Sequence, residues 1–226
     1  MCFSAGASFT AAAGLSIISL LSIKQVHTKK LIPIALTPLF FGIQQACEGF
    51  VWITLNNGDT TSILHLTSMY AFLFFAGVFW PTWISASLYC AEDSYNRKRL
   101  LFRLMCCGIL VSLLFLWYWL LKTNGAVIIQ HHIDYPVDHY PFNCGNPLYC
   151  RIGSYTLTFL YGLVTIMPFF ISSIPYIKLL GITVGIGAVI AYIFYLMAFA
   201  SVWCFFAAVC SVITYFIIWK NKKTVG

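Results

Sequence analysis

LLGITVGIGAVIAYIFYLMAFASVWCFFAAVCSVITYFIIW, residues 179–219, runs for 41 residues without a charged side chain. As one helix rising 1.5 Å per residue it would be about 60 Å long, roughly twice the 30 Å hydrocarbon thickness of a bilayer. Two helices are therefore expected, at 179–198 and 201–219, joined tightly at 199–201. Working toward the N-terminus, further apolar runs predict helices at 3–23, 31–55, 65–89, 104–121 and 152–174. Asn56-Asn57-Gly58-Asp59 is a turn signal closing the second, and Trp80-Pro81 predicts a kink in the third. The expectation is an all-α, polytopic, single-domain membrane protein (1–226) with seven transmembrane helices and an outer loop at 122–150.

Composition agrees. Of 226 residues, 61% are hydrophobic and 8% charged, with mean hydropathy +0.87. A soluble domain needs about a quarter of its residues charged to cover its surface. A water-soluble enzyme, a disordered chain and a DNA-binding module are excluded. The net charge of +7 is read as orientation rather than as a nucleic-acid footprint. With seven spans, Lys24, Lys29, Lys30, Arg97, Lys98, Arg99, Arg103, Lys178, Lys220, Lys222 and Lys223 share one side, 11 of 13 basic residues. Lys122 and Arg151 stand alone on the other. The positive-inside rule then predicts an outside N-terminus and a cytoplasmic C-terminus, with the lipid bilayer as the obligatory partner and no nucleic acid.

An ionisable residue inside a span is costly, and so points to function. Glu48 is that residue, about 10 Å below the outer end of the second helix. Gln44, Gln45 and Trp52 lie at spacings of three and four from it, giving one face two amides, a carboxyl and an indole N–H. Topology brings other polar groups to the same outer half: Cys2, Ser4 and Ser8 on the first helix, His65 and Tyr70 on the third, and Ser201, Trp203 and Cys204 on the last. Ser4, Ser8, Ala12 and Ser16 recur every four residues, a spacing that also permits close helix packing.

The outer loop is rich in His, Tyr and Pro. In an extended segment His132 and Asp134 point to the same side as Gln130, and a His–Asp pair orients an imidazole for base catalysis or metal binding. Cys144 and Cys150, in the same loop, are a disulfide candidate in an oxidising compartment. A soft-metal site would draw on Cys2, His65, His132 or Cys204. No lysine lies in the last helix to attach retinal, no HExxH, GxSxG or Walker A motif occurs, and no histidine follows His139 to make the HxxxH of ceramidase-type hydrolases.

Met1-Cys2-Phe3-Ser4-Ala5 resembles the opening of a family of uncharacterised bacterial multi-pass membrane proteins. Gln44-Gln45-Ala46-Cys47-Glu48-Gly49 with Trp52, His132-Ile133-Asp134-Tyr135 and Trp203-Cys204-Phe205-Phe206-Ala207 resemble the same family. The resemblance implies a bacterial integral membrane protein and no particular activity, and the topology is read as that of an inner (plasma) membrane protein. The residues themselves favour a polar pocket in the outer half that binds a small ligand or metal ion, lined by Gln44, Gln45, Trp52, Ser4, Ser8, Tyr70 and Trp203. The alternative is a hydrolase-like intramembrane enzyme using Glu48 with His65 or His132–Asp134. A structural or transporter-like protein is a second alternative.

Overall fold

The computed structural model describes residues 4–122, 125–129, 131–135, 147–194 and 199–225. Helix α1 is Ala5–Gln25 and α2 is Ile32–Asn56, entered through a 3-10 turn at Lys29–Leu31. Next come α3 (Ile63–Leu73), a π-helical turn (Phe74–Phe79), α4 (Trp80–Ala91) and α5 (Tyr95–Lys122). A hairpin of β1 (Val127–Ile129) and β2 (His132–Asp134) precedes α6 (Pro147–Ile171), α7 (Ile177–Phe194), α8 (Phe199–Cys210) and α9 (Ile213–Val225). Six helical stretches among the described residues are long and apolar enough to cross a membrane, and a shorter apolar one lies at Tyr155–Ile171.

α1 and α2 pack antiparallel and close. A Cβ on Gly42 would lie 3.0 Å from the Ala12 carbonyl oxygen, and one on Gly49 would lie 2.9 Å from the Phe9 ring. Ser19 Oγ crosses the interface to donate to the Ala35 carbonyl at 2.8 Å. The buried stripe of α1 is Ser8, Ala12, Leu15, Ser19 and Ser22, not the every-fourth-residue series from Ser4 to Ser16. Spacing of alternating four and three stays on one face, whereas a strict four drifts around the helix. Ser4 instead sits at the exposed helix start, where its Oγ accepts the Ala7 N–H.

The Asn-Gly signal ends α2 as a Schellman cap. Gly58 takes φ 70°, its N–H bonds the Leu55 carbonyl, and the Asp59 N–H bonds that of Thr54. In the third span a π-helical turn at Phe74–Phe79 directly precedes Trp80-Pro81, where a kink is expected. Trp80 N–H bonds the Phe75 carbonyl, five residues back. In that register the Ala76 carbonyl would pair with residue 81, a proline without an N–H, so the Tyr161 hydroxyl donates to it from α6. Ser112 of α5 donates to the Val78 carbonyl at 2.6 Å in the same region. Neighbouring helices thus restore what the proline removes, as lipid surroundings require.

Other boundaries move for physical reasons. α5 begins nine residues before the expected 104, because Arg97 to Arg103 continue the helix into the polar interface instead of forming a loop. Arg, Lys and Leu are good helix formers, so charge alone does not end a helix. α7 ends at Phe194 and α8 starts at Phe199, earlier than the junction expected at 199–201. The last apolar run breaks again at Ser211–Val212, where Val212 N–H bonds the Val209 carbonyl in a 3-10 pattern.

One end of the bundle is tied by polar loops. The Lys30 ammonium bridges to Asp93. Glu92, fully buried, accepts from Ser173 Oγ at 2.6 Å and from the backbone N–H groups of Ser173 and Ser94. Burial alone would push the Glu92 carboxyl up, but these bonds from Ser173 and Ser94, with Ser172 adding to them, hold it below its ordinary value. Lys222 Nζ reaches Gln25 Oε1 at 3.3 Å at this same end.

Candidate functional site

At the other end lies a separate core. Val51 and Trp52 of α2, Met69 and Phe72 of α3 and Cys204 of α8 pack there with Ile133 of β2 and the adjoining Tyr135. The hairpin has antiparallel register Ile128↔Ile133, and fully buried Ile133 points inward. Tyr135 stacks on Phe72 at 4.9 Å and 15°. Alternation along β2 then turns His132 and Asp134 to the face opposite Ile133. Burial, reinforced by neighbouring His131, lowers the His132 imidazole pKa.

Below this cap sits Glu48, with no solvent exposure. Ser201 Oγ donates to Glu48 Oε1 at 2.5 Å, joining α8 to α2, and Gln45 Nε2 donates to Oε2 at 3.4 Å. One helical turn deeper, Gln44 Oε1 accepts from Trp80 Nε1 at 2.8 Å, and the Trp80 ring stacks on Phe41 at 3.8 Å. The Cys204 thiol lies against Gln44 and near Glu48.

On α1 and α2 four buried polar atoms have no hydrogen-bond partner among the described residues: Ser8 Oγ, Gln44 Nε2, Gln45 Oε1 and Trp52 Nε1. A thiol is a poor acceptor, so Cys204 does not satisfy the Gln44 amide. Gly49 meets Phe9 across the α1–α2 interface, and that register places Ser8 beside the turn that carries Gln45 and Glu48. Two donors, one acceptor and a hydroxyl therefore lie on α1 and α2 within about one turn of Glu48 in sequence or helix register. Buried polar groups in native proteins are nearly always paired, so a cluster of exceptions calls for an explanation. Beyond Trp80 and Cys204 lies a mostly apolar cavity of about 30 Å³, floored by Thr37, Thr165 and Ser211 and roomy enough for one or two waters.

A family model matches residues 1–225. The chain belongs to DUF6629, a family of unknown function. The resemblance read from its opening and from three further stretches is borne out at that level. No curated protein and no solved structure matches the chain.

Not every residue singled out in this DUF6629 chain joins the cluster. Gln44, Gln45, Glu48, Trp52 and Ser8 do. His65 Nδ1 bonds Thr54 Oγ1 at 2.8 Å, six residues and about 9 Å nearer the C-terminal end of α2 than Glu48. The Thr54 hydroxyl also reaches the Phe50 and Val51 carbonyls, which fits His65 donating from Nδ1. Tyr70 is 40% exposed and outside the cluster, and Ser4 is a helix cap. Trp203 Nε1 donates to the Val184 carbonyl at 3.4 Å and its ring lines the deeper cavity. Among the described residues no three His, Cys, Asp or Glu side chains group to hold a metal; of the soft-metal candidates His65, His132 and Cys204 are described and Cys2 is not. Cys2, Cys144 and the side chain of Cys150 lie outside the described residues.

Sequence reasoning placed Ser201 at the right depth without giving it a role. Its distance from Glu48, 153 positions along the chain, leaves no local signal for the pairing.

Proposed function

We propose that this protein is a seven-span bacterial plasma-membrane protein, N-terminus outside, that binds a small polar, cation-bearing solute in its outer half. The count of seven is supported by the Lys222–Gln25 contact, which sets the lysine-rich tail beside the first inner loop. The orientation rests on the 11 of 13 basic residues assigned to that end.

The observation that carries the binding reading is four buried polar atoms on α1 and α2, within about a turn of Glu48 in sequence or register, that have no partner among the described residues. A carboxylate attracts the cationic group. Gln45 Oε1 and Ser8 Oγ accept its N–H groups, while Gln44 Nε2 and Trp52 Nε1 donate to its polar tail. Each pairing removes a desolvation penalty of about 1–3 kcal/mol, so ligand binding relieves a cost already built into the fold.

A thermal-unfolding screen of the purified chain in detergent tests this, using alkali cations, ammonium, small amines and zwitterionic amino acids. A stabilising solute whose effect disappears on Trp52→Phe and Ser8→Ala supports the reading. No response to any class, with both variants as stable as the wild type, rejects it.

A second reading rests on one contact, the 2.5 Å bond from Ser201 Oγ to Glu48 Oε1, since a hydroxyl held by a carboxylate is a general-base pair. Covalent labelling of Ser201 by an organophosphorus probe would favour this hydrolase-like alternative. Absence of label in the folded protein would leave binding as the function.

A further inference from the structure

The tied end of the bundle carries a second feature, on its outer surface and away from Glu48. Where α4 meets the first turns of α5, Tyr89, Tyr95, Lys98, Arg99 and Phe102 line an open pocket of about 380 Å³. Two basic residues, two tyrosines and one phenylalanine line a space of ligand size. Lys98 Nζ stands 4.8 Å from the centre of the Tyr89 ring, a cation–π contact that fixes the ammonium at the pocket wall. Asp93 acts on Lys98 from the preceding segment, but it is itself bridged to Lys30.

The pocket also has a direction. From Phe102 the exposed face of α5 continues through Cys106, Ile109 and Leu113, spaced four, three and four residues apart. Such a stripe lies along one side of a helix and runs from the basic pocket into the apolar span. A ligand fitting both parts has an anionic head and a long apolar tail.

We propose that this pocket is a binding site for an anionic phospholipid. Arg99 and Lys98 hold the phosphodiester, Tyr89 and Tyr95 donate hydroxyls to the headgroup, and an acyl chain lies along Phe102 and Ile109. Arg99 suits the role because its planar fork matches two phosphate oxygens at once. The positive-inside orientation accounts for the number of basic residues at this end. It does not require two of them to converge with two tyrosines on one pocket above a lipid-facing stripe.

The test is native mass spectrometry of the full chain in detergent, titrated with phosphatidylglycerol or with phosphatidylcholine of the same acyl chains. The wild type retains phosphatidylglycerol in preference to phosphatidylcholine. A cation near an anionic surface contributes about fivefold, so Lys98→Gln with Arg99→Gln weakens phosphatidylglycerol about 25-fold and leaves phosphatidylcholine unchanged. The control pair Lys24→Gln with Lys178→Gln removes equal charge at the same end and keeps the preference. Should the double variant not fold, Tyr95→Phe, at an exposed ring, is read instead and weakens phosphatidylglycerol alone.

Wild-type affinity in Lys98→Gln with Arg99→Gln, or in Tyr95→Phe, overturns the proposal. So does an equal loss in the control pair, which would mean diffuse charge. Displacement of the lipid by millimolar inorganic phosphate also overturns it, by making a soluble phosphate the ligand.

Discussion

Replacing Glu48 with Gln separates a ligand-holding carboxylate from an interhelical clamp, and the geometry sets the size of the effect. In the native protein Oε1 accepts from Ser201 at 2.5 Å and Oε2 from Gln45 Nε2 at 3.4 Å. The new amide keeps an oxygen for Ser201 and presents its nitrogen to the Gln45 nitrogen. Gln45 resolves the conflict by turning over, because its own Oε1 has no partner among the described residues and is available to accept. The bonds to Ser201 and Gln45 are kept and a buried carboxyl is removed, so without ligand the unfolding free energy should change by about 1 kcal/mol or less.

Glu48→Leu behaves differently: it takes the acceptor from both Ser201 and Gln45 and should cost about 2 kcal/mol or more. The assay is SDS-titrated and thermal unfolding of the purified chain in detergent, followed by tryptophan fluorescence, with and without the stabilising solute. A ligand at a hundred times its Kd adds about 2.7 kcal/mol to the wild type, and Glu48→Gln should lose that increment alone. If Glu48→Gln instead loses more than about 3 kcal/mol with no solute present, or keeps the full response, the carboxylate is not a ligand-binding group.

Three other outcomes follow from the packing. Gly108→Ala should cost more than about 2 kcal/mol in the same unfolding assay, because its Cβ would fall 2.2 Å from the Pro81 carbonyl oxygen, whereas Gly162→Ala meets nothing within 4 Å and should be neutral or slightly stabilising. Glu92 has a carboxyl pKa lowered by its bonds to Ser173 and Ser94, so its contribution is complete above the ordinary Glu range. That contribution is lost as pH falls through the lowered value; melting temperature measured from pH 6 to 3 should drop less steeply in Glu92→Gln. Ile133→Ala removes the fully buried anchor of the β1–β2 hairpin and should cost about 2–4 kcal/mol locally, read as faster proteolysis of the hairpin with the helical signal retained.

How much could be read without the structure differs by element. Spans were legible because lipid demands long uncharged runs, and the α2 stop was legible because Asn-Gly favours a left-handed cap. The start of α5 was misplaced because charges end a span without ending a helix. The π turn at 74–79 was read as a kink at its proline, since the proline is visible in the sequence and the displaced carbonyls are not. Within the site, Glu48, Gln44, Gln45 and Trp52 could be grouped from i±3 and i±4 spacing on one helix. His65 could not be separated from them, because its distance from Glu48 depends on how the α2–α3 turn seats α3 against Thr54.

The sequence alone determined what depends on composition and short-range order. It marked a membrane-spanning helical chain, one buried carboxylate, and the face that carries it. Tertiary structure decided what depends on contacts between distant segments: Ser201 on the carboxylate, Trp80 on Gln44, Tyr161 on a carbonyl stranded by Pro81, and Ile133 over the outer core. These pairings require a particular helix rotation and neighbour order. In a chain this uniformly apolar, many rotations bury equal apolar surface, and only the pairing of the few polar groups chooses among them.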